Sequence, residues 1–198
     1  ALPWIYQQYP SEETLYALTW KCKAQLISRD IASTIVVDNK LKFAESRKSG
    51  IRKALSLNIE VGESNDVDGF WHVLEDNLGN RYNAKPVHTA SEMKLLMSRF
   101  PNNIKLYVAK MNGEIVGGTL IYVTPQVVHT QYISASVEGK KHGALDLLFD
   151  YIINKVYANC RYFDFGKSTE QGGAYLNEPL IFQKEGFGGR GVCYDWYQ

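Results

Sequence analysis

Cysteine is scarce and unpatterned in this chain. Cys22, Cys160 and Cys193 are odd in number and widely spaced, which excludes a disulfide framework and the closely spaced thiol motifs that hold a metal. They read as small buried residues in a reducing, cytoplasmic compartment, and no metal is expected. Charge of one sign is lacking too. A formal net charge of +1 excludes a dedicated nucleic-acid surface and leaves only local basic clusters to explain. No apolar run is long enough to span a bilayer, and no signal peptide is recognisable. Repeats and low-complexity segments are absent. The sequence opens at Ala1-Leu2-Pro3-Trp4 without an initiator Met and reads as the C-terminal part of a longer chain.

What is present is an ordinary globular composition. The 198 residues, 45% apolar and 22% charged, suffice for one domain with a real core. Ser11-Glu12-Glu13 opens a short helix. Gln25 to Val37, rich in Ile, Val and Thr, predicts a strand turning at Asp38-Asn39. Ala44 to Leu57 is helical, with Lys48 and Arg52 on one face at i,i+4. Asn65 or Asp66 caps a helix striped by Val67, Phe70, Trp71, Leu74 and Leu78. Thr89-Ala90-Ser91-Glu92 is a capping box for a helix that Pro101 ends. Between those helices, residues 81–88 form a polar loop. Ile104–Lys110 and Glu114–Val123 make a hairpin through Asn112-Gly113. Gly117-Gly118 predicts a bulge or a close backbone approach. Trp4, Trp20 and Trp71 read as core.

The last third carries the chemistry. Strand Val127–Ala135 runs into Ser136–Gly143 and then a long amphipathic helix, Ala144–Tyr157. The turn offers Lys140, Lys141, Gly143 and backbone donors at a helix N-terminus, the parts that suit a phosphate-bearing ligand. A solvated strand-to-helix loop would look the same. A second strand, Tyr162–Phe165, leads through Gly166–Gly173 to a short helix that closes on Gly186-Phe187. In that loop Glu170, near Ser168 and Thr169, can accept an amine proton or simply favour the following helix N-terminus. His129, mid-strand with Gln131 and Ile133 on its face, has two readings. It is a base or a hydrogen-bonded structural histidine. Asp164 reads as structural.

The order of elements, with Lys140-Lys141-His142-Gly143-Ala144-Leu145 where a pyrophosphate loop would fall, resembles the GNAT acyltransferase superfamily. Phe43-x-x-x-Arg47-Lys48-x-x-Ile51-Arg52-Lys53-Ala54, the Val67–Leu78 and Thr89–Phe100 helices, and Phe163-Asp164-Phe165-Gly166 look like its FemAB-like branch. The resemblance implies an α/β (α+β) fold with a mixed, mainly antiparallel sheet flanked by helices. It implies a helical portion over 42–101 and an acyl-CoA-binding sheet over 102–198. The implied activity is acyl transfer from acetyl-CoA or another acyl-CoA to an amine, on a small molecule or a cell-envelope or polysaccharide precursor. Two rivals stay open, an aminoacyl-tRNA-dependent peptidyltransferase and a non-catalytic binding module. Gln131, Ser134, Ala135, Lys140, Lys141 and Gly143 would hold the coenzyme. Arg47, Lys48, Arg52, Ser168 and Asn177 would hold the acceptor, and Glu170 or His129 would be the base. The family's proton-donating Tyr is replaced by Phe182, which leaves Tyr175, expected at the start of the same helix, as the nearest tyrosine.

Overall fold

The computed structural model describes residues 1–82 and 85–198. Asn83 and Ala84 of the expected polar loop lie outside the described residues. In chain order the elements are α1 (Glu13–Tyr16), β1 (Leu26–Val36), α2 (Glu45–Ser56), β2 (Glu60–Ser64), α3 (Val67–Tyr82) and α4 (Ala90–Arg99). There follow β3 (Ile104–Met111), β4 (Glu114–Val123), β5 (Val127–Ala135), α5 (Val137–Lys141) and α6 (Ala144–Tyr151). The chain closes with β6 (Tyr162–Lys167), β7 (Thr169–Glu170), β8 (Tyr175–Leu176), α7 (Glu178–Gly186) and β9 (Arg190–Tyr197). The sheet is mixed and mostly antiparallel, as the sequence led us to expect.

The chain divides into two compact units: residues 1–43, 125–129 and 159–198 in the first, residues 44–124 and 130–158 in the second. In the second unit β2, β3 and β4 run antiparallel, and the later residues of β5 follow β4. Helix α3 caps itself through Asp66, whose Oδ1 accepts Gly69 N at 2.9 Å. Thr89 and Glu92 complete the reciprocal box at the start of α4, an arrangement worth about 1 kcal/mol. The stripe of α3 buries Val67, Phe70, Trp71 and Leu74 against Met93, Leu106 and Leu120. Each such large side chain contributes roughly 1.5–3 kcal/mol by leaving water. The β3–β4 register slips by one residue beside Ala109, which leaves Val116 as the bulged residue. A Cβ at Gly118 would meet the Phe70 ring at 2.7 Å, so the glycine pair gives a close approach, with the bulge one residue before it.

In the first unit β1 sits between β6 and β9, antiparallel to both. The opening residues of β5 pair in parallel with β6, Val127↔Tyr162 through His129↔Asp164. Ile5, Val127, Tyr162 and Val192 form a buried cluster with Trp4 against it. Phe187, from the Gly-Phe pair, stacks on Phe165 at 5.6 Å and meets Phe43 edge-on at 5.4 Å.

Three expectations need correcting. Trp20 is 61% exposed, not core, and carries Lys23 over its ring. Cys22 and Cys193 are exposed and Cys160 half-buried, so small size did not bring them inside. The long helix after β5 is two pieces. A short α5 occupies Val137–Lys141, the chain breaks at His142-Gly143, and α6 then widens into a π-helical turn over Ile152–Val156.

Candidate active site

Asp164 is fully buried on β6, a position that costs several kcal/mol unless the charge is met. Four side chains, drawn from β1, β5, β9 and the start of the chain, meet it. Thr34 Oγ1 donates to Oδ1 at 2.9 Å. Tyr194 O–H donates to Oδ2 at 2.7 Å and His129 Nδ1 lies 2.7 Å from the same oxygen. Tyr6 O–H reaches Oδ2 at 3.5 Å, and Tyr194 O–H approaches the Tyr6 oxygen at 3.3 Å. The strand registers Thr34↔Asp164 and His129↔Asp164 set two of these contacts.

Burial pushes the Asp164 carboxyl up, but the hydrogen bond and charge of His129, with Tyr194 and Thr34, outweigh it and hold the group below its ordinary range. Burial, opposed by the Tyr194 hydrogen bond and aided by the Asp164 charge, pushes the Tyr6 phenol up to about 12. Burial followed by the Asp164 charge raises Tyr194 as well. Both phenols therefore stay protonated donors. A carboxylate only accepts, so the His129 hydrogen sits on Nδ1 and leaves Nε2 as the basic nitrogen. The His129 side chain is 21% exposed. An imidazole held in one tautomer by a buried carboxylate can take a proton from a nucleophile.

Glu170 lies one short strand further on. Strand β7 pairs with β8 so that Glu170 stands directly opposite Tyr175, and Asn177 Nδ2 donates to Glu170 Oε1 at 3.0 Å. Glu170, Tyr175 and Asn177 are thus brought together. Tyr175 belongs to β8 and not to the following helix, because α7 starts only after Asn177, whose Oδ1 caps Leu180 N at 3.2 Å. Asn177 is accordingly a cap and a Glu170 partner. Ser168 was expected at the acceptor, but it is 1% exposed and its Oγ accepts from Lys184.

Lys184 is the side chain the sequence reading missed. It is 3% exposed, and its Nζ donates to Gly166 O at 2.9 Å, Lys167 O at 2.7 Å and Ser168 Oγ at 2.9 Å. Burial pulls its amine down to about 8, against the favourable charge of Asp164. Its signal was a lysine three residues after Ile181 and three before Phe187, on the inward stripe of α7. Tyr6 and Tyr194 left no comparable signal.

The second unit holds the residues expected at the coenzyme. Ser136 caps α5, its Oγ accepting Gly139 N at 3.0 Å, while its own N–H donates to the bulge carbonyl Val116 O at 3.0 Å. A Cβ at Gly139 would collide with that carbonyl. Lys140 and Lys141 stand at the C-terminal end of α5, not at a helix start. Lys140 donates to Asn77 Oδ1, and Lys141 O accepts Lys53 Nζ at 2.9 Å. Gly143 is buried, not exposed, with φ +74°, and a Cβ there would collide with Gly50 O. Its smallness serves the packing of α6 on α2.

Ser134 is buried with Oγ donating to Val73 O at 3.3 Å, and Gln131 is half-buried on β5. Ala135 lines a cavity of about 720 Å³ with Val73, Val116, Val137 and Glu138. The basic face of α2 is bridged: Arg47 to Asp146 at 2.7 Å, Arg52 to Glu45 at 2.7 Å and Lys48 to Glu45 at 3.8 Å. Burial raises the Asp146 carboxyl despite Arg47. Among the described residues no group of three or more His, Cys, Asp or Glu gathers where a metal could be held, and no helix is long and apolar enough to cross a membrane.

The fold has solved relatives. FemX matches with a TM-score of 0.67 at 12% identity, over 93% of this chain and 68% of that one. L-PGS from Bacillus licheniformis matches with a TM-score of 0.63 at 12% identity, over 93% of this chain and 65% of that one. At such identities the likeness is one of fold, and the chain spans about two thirds of each relative's length. It shows that the fold is the one shared by FemX and L-PGS. The sequence model of the acetyltransferase (GNAT) domain matches residues 42–175, and the chain belongs to that family. No curated protein sequence matches it.

Proposed function

We propose that the domain transfers an acetyl or similar acyl group from acyl-CoA, its co-substrate, to an amine. The observation that carries this reading is the His129–Asp164 pair, because an amine must lose a proton to become a competent nucleophile. In this reading the amine nitrogen attacks the thioester carbonyl, His129 Nε2 takes its proton, and fixed backbone N–H groups hold the oxyanion. Fixed donors of that kind supply much of the rate, together with proximity. The thiolate then leaves and is protonated. Glu170 with Tyr175 forms a second proton-carrying pair on the same reading. The acceptor is a small molecule or a cell-envelope precursor, and the site of action is cytoplasmic, in keeping with three free thiols.

A second reading, with an aminoacyl ester of tRNA as donor, draws support from one observation. Gly139 and Gly143 are packed on protein carbonyls and not held open for a pyrophosphate. Calorimetric titration with acetyl-CoA, run beside filter binding of charged tRNA at two salt concentrations, separates the two. Saturable acetyl-CoA binding with acetyl transfer to an amine, abolished in His129→Gln, is the expected result. No binding at millimolar acetyl-CoA, with salt-sensitive tRNA binding instead, transfers the case to the second reading. Neither binding would leave a non-catalytic module.

A further inference from the structure

Strands β6 and β9 both run antiparallel to β1, so both run out at the end where β1 starts. In open sheets ligands meet the carboxyl ends of the strands. Trp196, the penultimate residue of β9, is 61% exposed at that end. An indole is one of the largest apolar surfaces a side chain offers, so leaving it in water forgoes a large stabilisation. Trp196 stands opposite Ser28 and Tyr194 opposite Asp30, so both rings rise from one face of the β1–β9 ladder. Tyr194 is the donor to Asp164. Ser28 Oγ donates to Gly172 O at 2.5 Å, which draws the loop after Glu170 alongside the residue opposite Trp196. Gly173 is seated on β1 as well, since a Cβ there would collide with Arg29 O. Glu170 accepts Asn177 Nδ2 at 3.0 Å and stands opposite Tyr175, which is 51% exposed. An exposed indole, an exposed phenol, a carboxylate, a carboxamide and a hydroxyl thus gather at one end of the first unit.

We propose that Trp196 is a stacking platform for an amine-bearing pyranose, the acceptor in the transfer reading. A pyranose has a flat face of C–H groups and a girdle of hydroxyls. The C–H face covers the indole, while planar groups such as the Glu170 carboxylate and the Asn177 carboxamide pair with hydroxyls at fixed angles. A cycloalkyl amine would cover the ring but leave those polar groups to water. A linear polyol amine would satisfy them but has no flat face to lay on the indole. An amino sugar does both. Its amine, cationic before it reacts, is attracted by the Glu170 carboxylate. The inference rests on the transfer reading for one point, that the amine of the bound sugar is the one acylated. The products are then the N-acylated sugar and free CoA thiol, with the amine proton passed on to that sulfur.

The test compares glucosamine, its open-chain counterpart glucamine, and cyclohexylamine, each titrated with CoA present. Binding is read from the indole N–H resonance of Trp196, and transfer from thiol release with acetyl-CoA. Glucosamine is expected to shift that resonance saturably and to bind at least about fivefold tighter than either control. Trp196→Ala should raise KM for glucosamine roughly 5- to 30-fold, the loss falling on KM, and bring glucosamine and glucamine to one affinity. Trp196→Phe keeps a ring and should recover most of the loss. The position is exposed, so neither variant should lose its fold. Equal affinity of the wild type for glucosamine and glucamine would overturn the proposal, as would the absence of a saturable shift at high millimolar sugar. Ring-selective binding with no acetyl transfer to any of the three amines would sustain the sugar site and sink the transfer reading, so the two fail separately.

Discussion

The buried carboxylate of the first unit and the basic helix of the second are both charged and treat that charge in opposite ways. Asp164 sits in the interior with a histidine, two phenols and a hydroxyl aimed at one carboxylate. Lys48 and Arg52 lie at the surface and share Glu45. In the interior a charge persists only if many donors are fixed around it, and fixed donors are what a catalytic group needs. At the surface water does the same work, so a pair of cations spaced at i,i+4 says little about ligands.

The largest effect should follow from Asp164→Asn. It keeps the volume but removes the charge that orients His129, and it should lower kcat/KM roughly 10²- to 10⁴-fold. It should also cost about 3 kcal/mol of stability, since the donors are left around a poorer acceptor. Steady-state kinetics and denaturant unfolding on one preparation check both. Retained activity would remove His129 from the mechanism.

Next comes Gly143→Val. A β-branched residue at φ +74° facing Gly50 O should destabilise the fold by at least about 2 kcal/mol, with Lys140→Ala far milder. An unchanged unfolding midpoint would mean that α6 and α2 are not packed at this glycine.

Two pH predictions are smaller. The Asp164 carboxyl is held below its unfolded value. Its contribution is therefore present above the unfolded pKa and is lost as pH falls through the folded one, and Asp164→Asn should flatten that acid limb. Lys184 has a folded value of about 8 against 10.5 unfolded. Between those values the unfolded chain binds the extra proton, so stability should rise with pH by at most about 1.4 kcal/mol per unit. Lys184→Met should abolish the rise, and an identical alkaline profile in that variant would refute the assignment. The smallest effect belongs to Arg52→Ala, which should leave both the unfolding midpoint and acceptor KM unchanged. A raised KM would restore the basic face as an acceptor site.

What the sequence made legible was local. Thr89 with Glu92, Asn112-Gly113 and Pro101 each act within a few residues, and each marks its element correctly. The helical spacing of Phe70, Trp71 and Leu74 identified a core face for the same reason. The Asp164 network could not be read in that way, because its donors sit at positions 6, 34, 129 and 194 and only strand pairing unites them. Gly143 misled because a glycine beside lysines looks alike whether it faces a phosphate or a helix backbone. Tyr175 was misplaced because a two-residue strand has no period to detect.

The first unit is stitched from three separate stretches of chain, whereas the second is almost continuous from residue 44 to 158. On a ribosome the second could therefore collapse around Phe70 and Trp71 while the first still waits for β6 and β9. Contacts between residues 6 and 194 close one of the longest loops among the described residues, and such closures come late. The Asp164 network is thus among the last parts to assemble: until Tyr194 has emerged and docked, the nascent protein carries an Asp164 charge that still lacks one of its donors.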